Sequence, residues 1–280
     1  MLTFGLFYST ALILIGLSNR AQLRYGGAAL ILLAAATIGY TTWAFAAVAL
    51  AYIGLTAWMV EQAVPTALRW ARYGVWFLAS AALVIHAMPG YEGLVVADYV
   101  LLKTGSTYTD LYFNHDKVLV AWSLLNFTPL FRQSLTPKPL TPFWLIPLAL
   151  TLGIAATLTL AVTLGLINWQ PGWTHWFWIF AAGNLLNTCI AEELLFRGLL
   201  QRQLQKRLAP LLALAVAAVL FGLAHLAGGW AYVGVATLAG AVYGLAYYFT
   251  GRVAWAVLAH WLLNLTHFVL FTYPVATGYK

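Results

Sequence analysis

The chain has 280 residues, of which 63% are hydrophobic and only 8% charged, with a mean hydropathy of +0.84. A water-soluble domain carries roughly a quarter charged residues, so the composition excludes a soluble globular fold and indicates a polytopic membrane protein. The net charge of +7 sits in short segments between apolar runs, the pattern of loops at one membrane surface, and argues against a nucleic-acid partner.

Long runs of Leu, Ala and Val without strand alternation predict helices, so the expected fold class is all-α: a transmembrane helical bundle of about ten helices. Apolar segments fall at 2–17, 25–41, 43–60, 74–88, 118–131, 143–167, 174–200, 210–226, 230–250 and 253–273. The first has the length of a signal-peptide core, yet no basic residue precedes it and no small-residue cleavage site ends it; it reads as a retained span with its N-terminus outside. Gly26 to Val60 would be about 52 Å as one helix, too long for a hydrocarbon core of about 30 Å. A break is therefore expected at Gly39–Thr42. In that orientation Arg20, Arg24, Arg69, Arg72, Arg132, Lys138, Arg202, Lys206, Arg207 and Arg252 share one face, against Lys103, Lys117 and Lys280 on the other. The bias makes the first face cytoplasmic, with both termini outside a bacterial inner (plasma) membrane. The 13 Trp and 15 Tyr fit aromatic belts at the two surfaces.

One long polar connection, Pro89 to Lys117, holds Glu92, Asp98, Asp110 and Asp116. Its last residues read as a helix start, with Asn114 as cap and Asp116 in the first turn. Pro137, Pro139 and Pro142 mark Ser134–Pro142 as a linker. It divides an N-terminal transmembrane region, 1–140, from a second region, 141–280. Few buried polar groups are expected before the linker. After it, Ala236, Gly240 and Gly244 form a small-residue stripe that permits close helix packing.

The second region carries the chemistry. Glu192 and Glu193 lie inside an apolar segment, where an ionisable group marks a functional site. Successive helix positions diverge by about 100°, so the two acids face different ways. Glu193 and Arg197 are i and i+4 and can pair, which offsets part of the burial cost of both. Glu192 has no local partner, and a lone acid in low dielectric suits general acid–base work. His225 ends the eighth segment one turn after Phe221. His260 and Asn264 share a face, and an imidazole plus an amide aimed at one point suits a tetrahedral oxyanion. His267 continues that stripe and is expected to line the same cavity, whereas His86, His115 and His175 read as interfacial or packing residues. Cys189 shares the Glu192 face, but a thiol in apolar surroundings is inert unless a base activates it. Counting helical rise from the two ends places Glu192 at different depths, so the segment 174–207 is not one straight span; Gly183–Asn184 is the expected break.

Glu-Glu-x-x-x-Arg, Phe-x-x-x-His and His-x-x-x-Asn, in this order on successive segments, resemble the CPBP family of intramembrane proteases. That family covers CAAX proteases and bacteriocin-processing enzymes and includes the type II CAAX prenyl endopeptidases of eukaryotes. The resemblance covers about residues 143–273. It implies that Glu192 and His225 activate water for attack on a peptide carbonyl and face each other across one cavity. It further implies that His260 and Asn264 form the oxyanion hole, with Glu193 and Arg197 supporting. Members were long called metalloproteases. A Glu and two His, here Glu192, His225 and His260, with one open position satisfy a catalytic zinc, but no His-Glu-x-x-His helix is present. The reading adopted is the metal-free one, with no cofactor; zinc is its alternative. The implied function is an intramembrane endopeptidase acting on a protein or peptide substrate at the lipid bilayer. Its alternatives are a non-catalytic membrane scaffold or bacteriocin-immunity factor of the same fold, and a transporter, for which the repeated halves are missing.

Overall fold

In a bilayer every backbone N–H and C=O needs a partner within the chain, which favours helices wherever the apolar runs are long. The structure, a computed structural model, describes residues 1–133, 142 and 144–278. The predicted linker, apart from Pro142, lies outside the described residues, as does Lys280. The helices are α1 (Leu2–Gly16), α2 (Gln22–Gly27, continued by Ala28–Thr37), α3 (Trp43–Glu61), α4 (Thr66–Val84), α5 (His115–Leu125) and α6 (Leu145–Thr163), followed by α7 (Phe177–Leu204), α8 (Pro210–Leu223), α9 (Gly229–Thr250) and α10 (Val253–Leu270). Among the described residues, five helices are long and apolar enough to cross a membrane: α3, α6, α7, α9 with its leading turn, and α10. The protein is an all-α, membrane-type bundle.

The chain divides into two units, one of Met1–Val96, Tyr112–Thr128 and Leu186–Ala191, the other of Ala97–Leu111, Pro129–Leu185 and Glu192–Lys280. In the first unit the break between α2 and α3 falls where expected. Gly39 takes φ +73°, which glycine adopts without steric cost. Thr42 then caps α3, its Oγ1 accepting from Phe45 N at 3.1 Å. The expectation of few buried polar groups here is corrected. Tyr52 and Ser80 hydroxyls meet at 2.8 Å, Thr56 and Ser123 hydroxyls at 2.8 Å, and Trp76 Nε1 donates to Ser123 at 2.9 Å. Buried Arg72 donates to Trp58 O and Gln62 O at 2.6 and 3.0 Å, closing the end of α3. Small hydroxyls look unremarkable in an apolar run, yet each of these has found a partner.

The connection from Pro89 to Lys117 contains a two-stranded sheet, β1 (Leu94–Val100) with β2 (Thr109–Phe113), where no strand was expected. Both runs are too short to span a bilayer, and strand pairing satisfies their backbone groups instead. Asn114 does occupy the position before α5, but its side chain makes no capping bond; its Oδ1 accepts from the Tyr91 hydroxyl at 3.1 Å. Asp116 lies in the first turn as expected. Its Oδ2 is 2.7 Å from His86 Nδ1 and its Oδ1 accepts from Lys117 N at 2.8 Å, while burial raises its carboxyl above the usual range. His115 is wholly buried among the rings of Tyr8, Tyr40, Phe45 and Tyr91, and burial lowers it to about 4.

In the second unit, Lys103 Nζ donates to Gln170 O, Val269 O and Phe271 O at 2.7, 2.7 and 3.0 Å, tying two loops to the end of α10. The predicted break at Gly183–Asn184 does not occur. Instead α7 runs on to Leu204 while its winding changes: Asn184–Cys189 and Leu194–Gln201 are π-helical. Hydrogen bonds closing five residues apart put more residues into each turn, so the helix is shorter than a uniform α rise implies. The predicted small-residue stripe on α9 is where other helices come close. Arg197 Nη2 donates to Gly240 O at 2.6 Å and Gln201 Nε2 to Gly244 O at 3.2 Å. A Cβ on Gly240 would lie 3.2 Å from Phe221 Cβ, and one on Gly222 would meet Thr237 Oγ1 and stand 2.7 Å from Val233 O.

Candidate active site

Glu193 and Arg197 are both wholly buried and form the expected ion pair, Arg197 Nη1 lying 2.9 Å from Glu193 Oε2 and 3.1 Å from Oε1. The guanidinium also lies over the rings of Phe221 and Tyr243, 4.8 and 5.3 Å from their centroids, so its charge is compensated on several sides. Glu193 Oε1 takes a further bond from His260 Nδ1 at 2.8 Å. A carboxylate only accepts, so Nδ1 carries the proton and Nε2 of His260 is the atom left for other work. Tyr243 stacks on the imidazole at 4.5 Å and 12°, fixing the plane of the ring.

Glu192, the neighbouring acid, stands in another environment. Its Oε2 is buried with no hydrogen-bond partner, and its charge acts on both Arg197 and Tyr232. His225 lies beyond the end of α8, half-buried, with Nδ1 2.8 Å from Phe221 O. The carbonyl accepts, so Nδ1 is the donor and Nε2 of the neutral ring is a free acceptor. Among the described residues no hydrogen bond joins Glu192 to His225; the ring of Tyr232 lies 5.8 Å from the imidazole of His225. Phe221 connects the halves of the cluster, with its ring 4.8 Å from His225 and 5.8 Å from His260.

Asn264, one turn after His260 on α10, donates from Nδ2 to Asn184 Oδ1 at 3.1 Å. This bond orients the amide group. His267 does not join the cluster: its Nε2 is 2.9 Å from Thr272 O and its ring packs on Tyr273. That corrects the expectation drawn from its place on the His260 stripe, because the turn after α10 offers it a closer acceptor. His175 rests on Trp176, and Cys189 is wholly buried. Among the described residues no group of three His, Cys, Asp or Glu is disposed to hold a metal ion, the set of Glu192, His225 and His260 included.

The residues missed in the sequence are Asn184, Tyr232 and Tyr243. Asn184 stood out as a helix breaker, and its neighbour across the fold, Asn264, is 80 residues away. The tyrosines carried no signal, being two among 15 in a chain rich in aromatic residues.

Residues 174–266 match the family model described as type II CAAX prenyl endopeptidase Rce1-like, and this stretch contains all three motifs and every residue of the cluster. No curated protein and no solved structure matches the chain. The three motifs lie within the matched stretch, and over those residues the chain is similar to the type II CAAX prenyl endopeptidases.

Proposed function

We propose that the protein is an intramembrane endopeptidase that hydrolyses a peptide bond of a membrane-associated protein or peptide. Water is activated by Glu192 and His225, and the oxyanion is held by His260 and Asn264. The observation that carries this reading is the asymmetry of the two adjacent acids. Glu193 is wholly buried, ion-paired with Arg197 and bonded through Oε1 to His260, whereas Glu192 is half-buried and, among the described residues, has neither an ion pair nor a hydrogen bond to its buried Oε2. An uncompensated buried acid is expensive, and a role in proton transfer accounts for it.

The steps follow from the free atoms. Glu192 takes one proton from water while Nε2 of His225 accepts the other water hydrogen in a hydrogen bond. The water oxygen bonds to the carbonyl carbon. The oxyanion receives an N–H from the amide of Asn264 and an N–H from Nε2 of His260. As the C–N bond breaks, the proton on Glu192 passes to the leaving nitrogen, which restores the carboxylate. With Nδ1 already donating to Glu193, His260 has a hydrogen on Nε2 only as imidazolium. The proposed steps use protein groups and water alone, with zinc held by Glu192, His225 and His260 as the alternative. On the charge bias of its loops, the same reading places both termini outside a bacterial inner membrane.

The test is cleavage of an internally quenched CAAX peptide, farnesylated and unfarnesylated, by the protein in proteoliposomes. The wild type is expected to turn over at least one form, and Glu192→Gln neither. Turnover by Glu192→Gln at wild-type rate would remove Glu192 from the chemistry. No turnover by the wild type would favour a non-catalytic scaffold or immunity factor.

A further inference from the structure

From Glu193 to the first residue beyond α7, every fourth side chain is polar: Glu193, Arg197, Gln201 and Gln205. Positions four apart share a helix face, and contacts across the fold fix where this face looks. Arg197 Nη2 donates to Gly240 O and Gln201 Nε2 to Gly244 O, so the stripe runs along α9. The other wall is α8. Arg197 lies over the Phe221 ring, and a Cβ on Gly244 would stand 2.9 Å from Leu214 Cγ and 3.1 Å from Gln201 Oε1. Gln205 N donates to Gln201 O at 2.9 Å, which carries the same face one turn further.

Each of the four has a buried polar atom that makes no hydrogen bond within the chain. These are Glu193 Oε2, which has only its ion pair, Arg197 Nε, Gln201 Oε1 and both amide atoms of Gln205. Among the described residues, no other buried side chain from Leu194 to Leu208 has one. The Gly244 carbonyl accepts from Gln201, so the atom left over on that amide is the acceptor oxygen. Along the stripe the atoms therefore run acceptor, donor, acceptor, and then a donor with an acceptor. Water both donates and accepts, and ordered water is what partners buried polar atoms that a chain does not bond itself. The spacing suits it. One helical turn advances about 5.4 Å, and two hydrogen bonds through one water span about 5.6 Å. At one end Lys206 and Arg207 are exposed charges of the kind that stand among lipid headgroups. At the other, Glu193 is bonded to His260.

We propose that the seam lined by Arg197, Gln201 and Gln205 binds a file of ordered water, which supplies the candidate active site from the membrane surface. Hydrolysis consumes one water for each peptide bond, and the apolar helices around the site otherwise exclude it. The supply role rests on the proposed function. The water file does not, and the experiment reads the two separately.

X-ray radiolysis turns water in place into hydroxyl radicals, which label the side chains that touch it, and peptide mass spectrometry reads the label. Leu214, beside Gly244, is the reporter, and Leu158 on α6 is its dry counterpart, since both are leucines 6% exposed. Wild type in proteoliposomes is expected to label Leu214 several-fold faster than Leu158. Gln201→Leu replaces the amide by an apolar group of similar size. It should bring Leu214 down to the Leu158 rate and lower kcat on the quenched CAAX peptides about tenfold at unchanged KM, the order of one lost hydrogen bond. Gln205→Leu, nearer the surface, should act in the same direction and carries the test if the melting temperature shows Gln201→Leu to be misfolded. Equal labelling of Leu214 and Leu158 in the wild type would overturn the water file. Label lost with kcat unchanged would overturn the supply role. Glu192→Gln should label Leu214 as the wild type does; if it also turns over peptide, the water-activating pair is wrongly assigned while the labelling still decides the file.

Discussion

What an imidazole or a carboxylate does is governed by which of its atoms is already bound. His225 and His260 both have Nδ1 engaged, one with the carbonyl of Phe221 and the other with the carboxylate of Glu193. The first arrangement leaves a neutral ring with a basic Nε2; the second supplies an anion beside a ring that must be doubly protonated to donate. The same reasoning applies to Asn264. Asn264→Ala removes a donor and should lower the rate about 10²–10³-fold. Asn184→Ala removes only the acceptor that orients the amide and should lower kcat about tenfold at unchanged KM, with Asn184→Asp, which retains an acceptor oxygen, restoring most of it. Steady-state kinetics on the quenched peptide would check both, and an Asn184→Ala enzyme of full activity would show that Asn264 is oriented by other contacts.

At the scale of elements, α7 and α5 show what a sequence conveys and what it withholds. The apolar runs announced the five helices that, among the described residues, are long and apolar enough to cross a membrane, because length and hydropathy decide that question locally. The change from α to π winding in α7 was not announced. Gly183 and Asn184 signalled an irregularity, but whether a helix breaks or widens depends on what its freed carbonyls and side chains meet, and Asn184 meets Asn264. The first turn of α5 was half legible: Asn114 and Asp116 are in place, but their partners Tyr91 and His86 come from elsewhere in the chain. His115 makes the cost of that buried turn measurable. Burial lowers it to about 4, below the 6.5 of an unfolded histidine, so the unfolded chain takes up a proton that the folded one refuses. Its share of stability is complete above pH 6.5 and is lost as the pH falls towards 4, at most about 3 kcal/mol. Asp116, raised by burial, works the other way, since its folded form takes a proton first on acidification. The measurement is therefore the difference in melting temperature between wild type and His115→Phe from pH 7 to 4.5. The wild type is expected to lose ground steadily to the variant, and a constant difference would contradict the burial argument. On α9, the carbonyls of Gly240 and Gly244 accept from Arg197 and Gln201, so the small-residue stripe is also a row of acceptors for α7.

For the whole molecule, membrane insertion, the all-α bundle and the three motif positions were legible, because each is written in adjacent or regularly spaced residues. The hydroxyl pairs of the first unit and the stacking of Tyr243 were not, because they join residues far apart in the chain. One question concerns the proposed site as a whole, its dependence on metal. Exhaustive chelation is expected to leave turnover intact; activity lost to a chelator and restored by zinc would move Glu192, His225 and His260 into ligand roles. The central claim is a division of labour between two adjacent acids, one ion-paired with Arg197 and one with no ion pair among the described residues. Its most direct measurement is turnover and melting temperature of Glu192→Gln, Glu193→Gln and Arg197→Ala side by side in one membrane preparation. The account predicts that Glu192→Gln is inactive with a wild-type melting temperature. Arg197→Ala should be destabilised by about 3–5 kcal/mol, as when a buried ion pair loses one partner, and Glu193→Gln should melt below the wild type in the same direction. A Glu192→Gln variant that turns over, or one that is as destabilised as Arg197→Ala, would contradict it.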